Sequence, residues 1–214
     1  MVGQTKSPSK GGFARSPALW SLLLLGGVAA LAAFGPAEKT LGTNARLVYL
    51  HGVWVWASLA AFVVAGLFGL AGLLTQRPAV QSWSRAFGRT GLFFWITYIP
   101  ISMWAMQANW NGLFLAEPRF RLAVIFAVSG LLLQVGLSLM EDPVWASAGN
   151  LAFVVALLFA LGSTQNIMHP PAPILESNAW RIQAFFAGLF LLTLLAVWQV
   201  ARWWHHFELL ASNE

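Results

Sequence analysis

The chain has 214 residues, of which 58% are hydrophobic and only 9% charged, with a mean hydropathy of +0.69, and this composition implies an all-α polytopic membrane protein. The absence of Cys excludes disulfides, thioether attachment through its own thiols, Cys-ligated zinc and iron–sulfur clusters, so any metal must rest mainly on His or carboxylate. The net charge of +5 is spread too thinly, with no basic run or stripe, to suit nucleic acid.

Residues 1–17 are expected to form a disordered cytoplasmic tail, rich in Gly and Ser and carrying Lys6, Lys10 and Arg15. Residues 18–206 are expected to form one membrane domain, with 207–214 a short cytoplasmic tail. The first apolar run, Ala18 to Phe34, has the basic front end and the Ala30-Leu31-Ala32 small-residue stretch of a secretory signal, but its length suits a short span. A connector from Gly35 to Arg46 holds Pro36, Glu38, Lys39, Gly42 and Asn44, all turn formers or polar residues. The second span, Leu47 to Leu74, is longer than the hydrocarbon core requires, which lets its first turn with His51 sit at or above the outer interface.

A polar connector is expected from Thr75 to Arg89, then a third span from Gly91 to Met106, kinked at Pro100. The segment from Gln107 to Arg121 is more aromatic than a water-exposed loop, which predicts that it lies on the membrane surface or covers a site. Span four runs from Leu122 to Leu139 and stops at Glu141-Asp142-Pro143; span five runs from Trp145 to Leu161. The loop from Ser163 to Asn178 contains His169-Pro170-Pro171-Ala172-Pro173, which is stiff and extended. Span six begins at Trp180 and reaches Trp198 or Trp204.

Six spans place both termini on one side. Lys6, Lys10, Arg15, Arg77, Arg85, Arg89 and Arg202 fall there, against Lys39, Arg46, Arg119, Arg121 and Arg181 opposite, so the termini are expected in the cytoplasm. His51 and His169 then share the outer face. Two neutral imidazoles on separate elements suit the axial positions of a haem iron, and Tyr49 or Asn166 is a candidate to fix a ring tautomer by hydrogen bonding. Arg46, Arg119, Arg121 and Arg181 are candidates for the propionates, and Trp54, Trp56, Trp104 and Trp110 for flat apolar walls. Each has a plainer alternative: an interfacial His, snorkelling Arg and the usual aromatic belt. His205 and His206, beside Trp203 and Trp204, are read as interfacial anchors. No Ser-His-Asp set, phosphate-binding Gly loop, metalloprotease motif or paired-carboxylate site is found, so the chain is not expected to be an enzyme.

The stretch Arg46-Leu47-Val48-Tyr49-Leu50-His51 resembles the opening of the second span in the six-span, protein C type of haem-handling membrane proteins of cytochrome c maturation. Asn166-Ile167-Met168-His169 resembles that family's second histidine segment. The family's tryptophan-rich haem platform, which ends in Asp-x-Arg, corresponds here to Trp110 through Arg119; Glu117 and Arg119 keep the acidic-x-Arg ending, and most of the tryptophans are replaced. The resemblance implies a b-type haem, held transiently or permanently by His51 and His169 outside the membrane, with Arg46, Tyr49, Trp110 and Arg119 as further binding residues. It implies as partners the other membrane proteins of a cytochrome c assembly machinery, in the cytoplasmic membrane of a prokaryote or the equivalent organelle membrane. The alternative expectation is an accessory subunit of a respiratory or photosynthetic electron-transfer complex, descended from this family, with a permanent haem or none. A transporter is a weaker alternative, because no inverted repeat or intramembrane charge pair is visible.

Overall fold

The computed structural model describes residues 16–165 and 173–211, with side chains to 208. Six helices follow one another: α1 (Pro17–Ala33), α2 (Ala45–Thr75), α3 (Pro78–Trp110), α4 (Pro118–Met140), α5 (Pro143–Ser163) and α6 (Trp180–Ala211). Among the described residues there is no strand, only an isolated bridge between Glu38 and Gly42 in the first connector. Proline opens α1, α3, α4 and α5, where its missing N–H and preset φ cost nothing. Side-chain caps add to this: Glu117 accepts from Phe120 N at 2.9 Å and Asp142 from Val144 N at 2.7 Å.

All six expected helices are present, but several of their ends move. The polar stretch from Thr75 to Arg89 is not a connector. Gln76, in the left-handed region at φ 54°, ends α2, and Pro78 starts α3 immediately after Arg77. Arg85 and Arg89 stand one turn apart on α3 and are neutralised across the bundle rather than by water. Arg89 Nη1 lies 2.8 Å from Glu208 Oε1 and Arg85 Nε 3.9 Å from the same oxygen, while the Arg89 guanidinium covers the Trp204 ring. Polarity that looks like a loop in one dimension is here a helix face with a partner helix. The same contact explains why α6 continues to Ala211, beyond the expected end of the domain at 206. At its other end α3 runs on through Trp110, so the connector to α4 is only 111–117.

Among the described residues, four helices are long and apolar enough to cross a membrane: α2, α4, α5 and α6 as far as Glu208. Helix α1 is apolar but has 17 residues. Helix α3 has the length and not the hydropathy, because Trp, Tyr, Ser, Thr and two Arg interrupt its apolar residues. Outward-facing apolar side chains such as Leu131, Leu132, Val135 and Leu139 on α4 and Val155 and Phe159 on α5 fit a lipid environment.

Helices α2 and α3 make the most extensive contact, and α5 packs on the same pair. The seam is built from small residues. Ala57, Ala61 and Ala65 recur every four positions along α2 and are buried, which lets backbones approach closely. Hydroxyls then reach across: Ser58 Oγ donates to Gly91 O and Ser84 Oγ to Ala65 O, both at 2.8 Å. The chain of contacts extends outward as Asn150 Nδ2 donates to Ser84 O at 3.0 Å and Gln134 Nε2 to Asn150 Oδ1 at 2.8 Å, joining α2, α3, α5 and α4. Such interhelical hydrogen bonds contribute about 0.6 kcal/mol each on average in bilayers.

A Cβ on Gly69 would stand 2.6 Å from the Ser147 carbonyl oxygen, a backbone atom of α5 that cannot step aside. Gly69→Ala is therefore expected to destabilise the bundle by about 1–3 kcal/mol, measured by reversible unfolding in mixed micelles. Gly26→Ala, where nothing lies within 4 Å of the added carbon, should not lower the unfolding midpoint and should raise it slightly through helix propensity.

Candidate functional site

One end of the bundle gathers the start of α2, the end of α3, the start of α4, the end of α5 and the start of α6 around a cavity of about 480 Å³. Asn44 Nδ2 holds this end together by donating to Ala108 O at 2.8 Å. The volume lies within the roughly 300–1,000 Å³ of small-molecule and cofactor sites. Val55, Trp95 and Phe186 line its apolar interior, and Glu38, Asn109, Glu117 and Arg119 bring polar groups to the wall.

His51 lies in the second turn of α2, half-buried, and lines this cavity. Its ring meets Tyr98 of α3 at a centroid distance of 5.6 Å. Trp110, the last residue of α3, lines the same cavity, as does Arg119 in the first turn of α4. Arg119 is also an end cap for α5: its Nε donates to Thr164 O at 3.3 Å and its Nη2 to Leu161 O at 3.2 Å, which satisfies carbonyls the helix terminus leaves open.

Tyr49 lines the cavity with its ring while its hydroxyl donates to Pro36 O at 3.1 Å. Arg46 is not part of the cavity wall; its Nε donates to Gly35 O at 3.0 Å. The Arg-x-x-Tyr pattern, spaced three apart on a helix face, thus clasps two successive carbonyls of the α1–α2 connector. The connector folds close: a Cβ on Gly35 would be 2.9 Å from the Phe185 ring and 3.1 Å from Tyr49. Glu38 stabilises the turn itself by accepting from Thr40 N at 2.8 Å and Leu41 N at 2.9 Å. These backbone donors, Leu41 first and then Thr40, hold its carboxyl below the ordinary carboxylate range.

Of the tryptophans expected as walls, Trp56 lines the cavity with Trp110. Trp54 is buried between α2 and α3 with its Nε1 donating to Thr97 Oγ1 at 2.9 Å, and Trp104 is 61% exposed on the outside. Arg121 and Arg181 are outside the wall, the latter over the Trp180 ring. His169 and Asn166 lie outside the described residues; Leu161 and Pro173, on either side of them in the chain, both line the cavity. At the opposite end His205 is not simply an interfacial anchor. It stacks on Trp83 at 4.1 Å, with Ser82 Oγ 3.1 Å from its Nε2, and so locks α6 to α3.

Four further residues, Trp95, Tyr98, Ser102 and Asn109, line the cavity from α3 without any sequence signal that marks them. Their spacing defines one helix face, but nothing in a uniformly apolar span says which face looks into a site. Among the described residues no group of three or more His, Cys, Asp or Glu is placed to hold a metal ion. The cavity wall offers one imidazole, that of His51, among mainly apolar residues.

No protein-family model, curated protein or solved structure matches the chain.

Arg119→Ala should fray the end of α5, at a cost of about 1.5–3 kcal/mol for the lost charged donor, seen as faster hydrogen exchange confined to residues 158–164. A second expectation concerns pH. Because the folded-state pKa of Glu38 is lowered, its contribution to the turn is complete above the carboxyl's ordinary pKa and disappears as pH falls through the lowered value. Protection of the Thr40 and Leu41 amides should be lost only in that acid range, and Glu38→Gln should reduce it at neutral pH.

Proposed function

We propose that this chain is an integral membrane protein that binds b-type haem in the cavity at one end of its bundle, where His51 and His169 would hold the iron. The observation that carries this reading is the meeting of His51, Trp110 and Arg119, residues separated by up to 68 positions in the sequence, on the wall of one apolar cavity of cofactor size. In this reading six helices cross the membrane, both termini are cytoplasmic and the cavity opens on the outer face. Support for that orientation comes from the sequence count of basic residues, seven on the side of the termini (Lys6, Lys10, Arg15, Arg77, Arg85, Arg89, Arg202) against five on the cavity side (Lys39, Arg46, Arg119, Arg121, Arg181).

Haem would supply an iron that binds imidazole nitrogen; the protein's own part is to position that nitrogen and keep water away. His51 is held by a helix whose register is set against α3, so its ring has a defined direction. Trp95, Val55 and Phe186 exclude water from the interior. Tyr49 and Arg46 act through the connector: by binding Pro36 O and Gly35 O they keep the 35–44 turn beside the cavity. No acid, base or nucleophile is assigned, and the role proposed is binding and handing over haem among membrane proteins of cytochrome c assembly.

The full chain, purified in mild detergent and loaded with haem, is expected to show a Soret band and reduced-minus-oxidised bands of a bis-imidazole iron. His51→Ala should lower haem affinity roughly tenfold or more, with loss of the low-spin spectrum, and His169→Ala should do the same. An absorption spectrum that neither substitution changes would sink the proposal.

A further inference from the structure

Buried hydroxyls in this protein follow a rule with two exceptions. Among the described residues, Ser21, Ser58, Ser84, Thr90, Ser147 and Thr193 are buried, and each donates to a backbone carbonyl. Tyr49, 2% exposed, donates to Pro36 O. Ser102 and Tyr98 are each 6% exposed, and neither hydroxyl has a hydrogen-bond partner among the described residues. Both line the cavity. They lie one turn apart on α3, about 6 Å in rise, and Tyr98 is in ring contact with His51. The Trp95 ring packs against Tyr98 at 5.2 Å, with its own Nε1 bound to Ala123 O, so the tyrosine is held in place by a neighbour whose polar atom is already used.

Both hydroxyl oxygens open onto the cavity, and a donor in an apolar wall that has no protein partner is satisfied when a ligand brings an acceptor. We propose that Tyr98 and Ser102 form a ligand-contacting pair which donates to an acceptor oxygen on the bound molecule. The ligand class is a flat, mostly apolar ring that carries a carboxyl group at its edge. The assignment rests on the haem reading of the same cavity and adds a recognition element to it. Carboxyl recognition then does not rest on the arginines alone, since Arg46 stands off the wall and Arg119 commits Nε and Nη2 to the end of α5. Two neutral donors in an apolar wall suit a carbonyl-type oxygen better than a bare anion, so the carboxyl they receive holds its proton or shares it.

The proposal is tested by equilibrium titration of the purified full chain with two probes, iron protoporphyrin IX, which has carboxyl groups, and iron octaethylporphyrin, which has only alkyl groups. Wild type should prefer the first. Tyr98→Phe combined with Ser102→Ala should weaken binding of the first by roughly tenfold, leave the second unchanged and erase the preference, with the position of the Soret band unmoved because His51 is intact. Should the double variant not fold, Tyr98→Phe alone keeps the ring against Trp95 and carries the same comparison. A loss equal for both probes, or no loss for either, overturns the assignment while the haem reading stands. Absence of any band that depends on His51 overturns both.

Discussion

Everything at the cavity depends on how closely α2 and α3 approach. Ala57, Ala61 and Ala65 remove side-chain bulk from one face of α2, and Gly91 does so on α3, where a Cβ would stand 2.7 Å from Phe62. Ser58 and Ser84 then bond carbonyls of the opposite helix. In lipid no hydrophobic force drives helices together, so close packing and these few hydrogen bonds must set the register. A slip of one residue would rotate His51 away from Tyr98 and open the cavity wall.

The two ends of the bundle use polarity differently. At the end away from the cavity, charge is consumed within the protein: Arg85 and Arg89 share Glu208, Ser138 Oγ accepts from Arg89 Nη2 at 3.2 Å, and Trp83 is stacked between Trp198 and His205. These contacts bind α3, α4 and α6 into one unit. At the cavity end Arg46, Tyr49, Glu38 and Arg119 also serve the protein by holding a connector and a helix terminus. The cavity wall also carries an imidazole, the Tyr98 and Ser102 hydroxyls, the Asn109 amide and aromatic rings.

The resemblance motif acquires a physical meaning from this arrangement. In Arg46-x-x-Tyr49-x-His51, three residues in the first two turns of α2 divide their work: Arg46 and Tyr49, on one face, fasten the preceding connector, and His51 lines the cavity. The chain from Trp110 to Arg119 keeps an aromatic residue at the α3 end and an acid-and-arginine pair at the α4 start, where Glu117 caps its own helix and Arg119 caps α5. The acidic-x-Arg pair of Glu117 and Arg119 therefore has a structural duty in this fold.

By itself the sequence determined the helix count and the approximate position of every apolar run, because apolar length and the placement of Pro, Gly and Asn are local properties. It also singled out His51, since an imidazole is rare in so apolar a chain. It could not separate a polar helix face from a loop at Thr75 to Arg89, because the difference lies in Glu208, more than a hundred positions away. Nor could it tell that Arg46 and Tyr49 face a connector while Tyr98 and Ser102 face a cavity. Side chains on a helix point where the neighbouring helices permit, and in α3 apolar residues occur on every face. Only the packing of α2 against α3 decided which of them look inward.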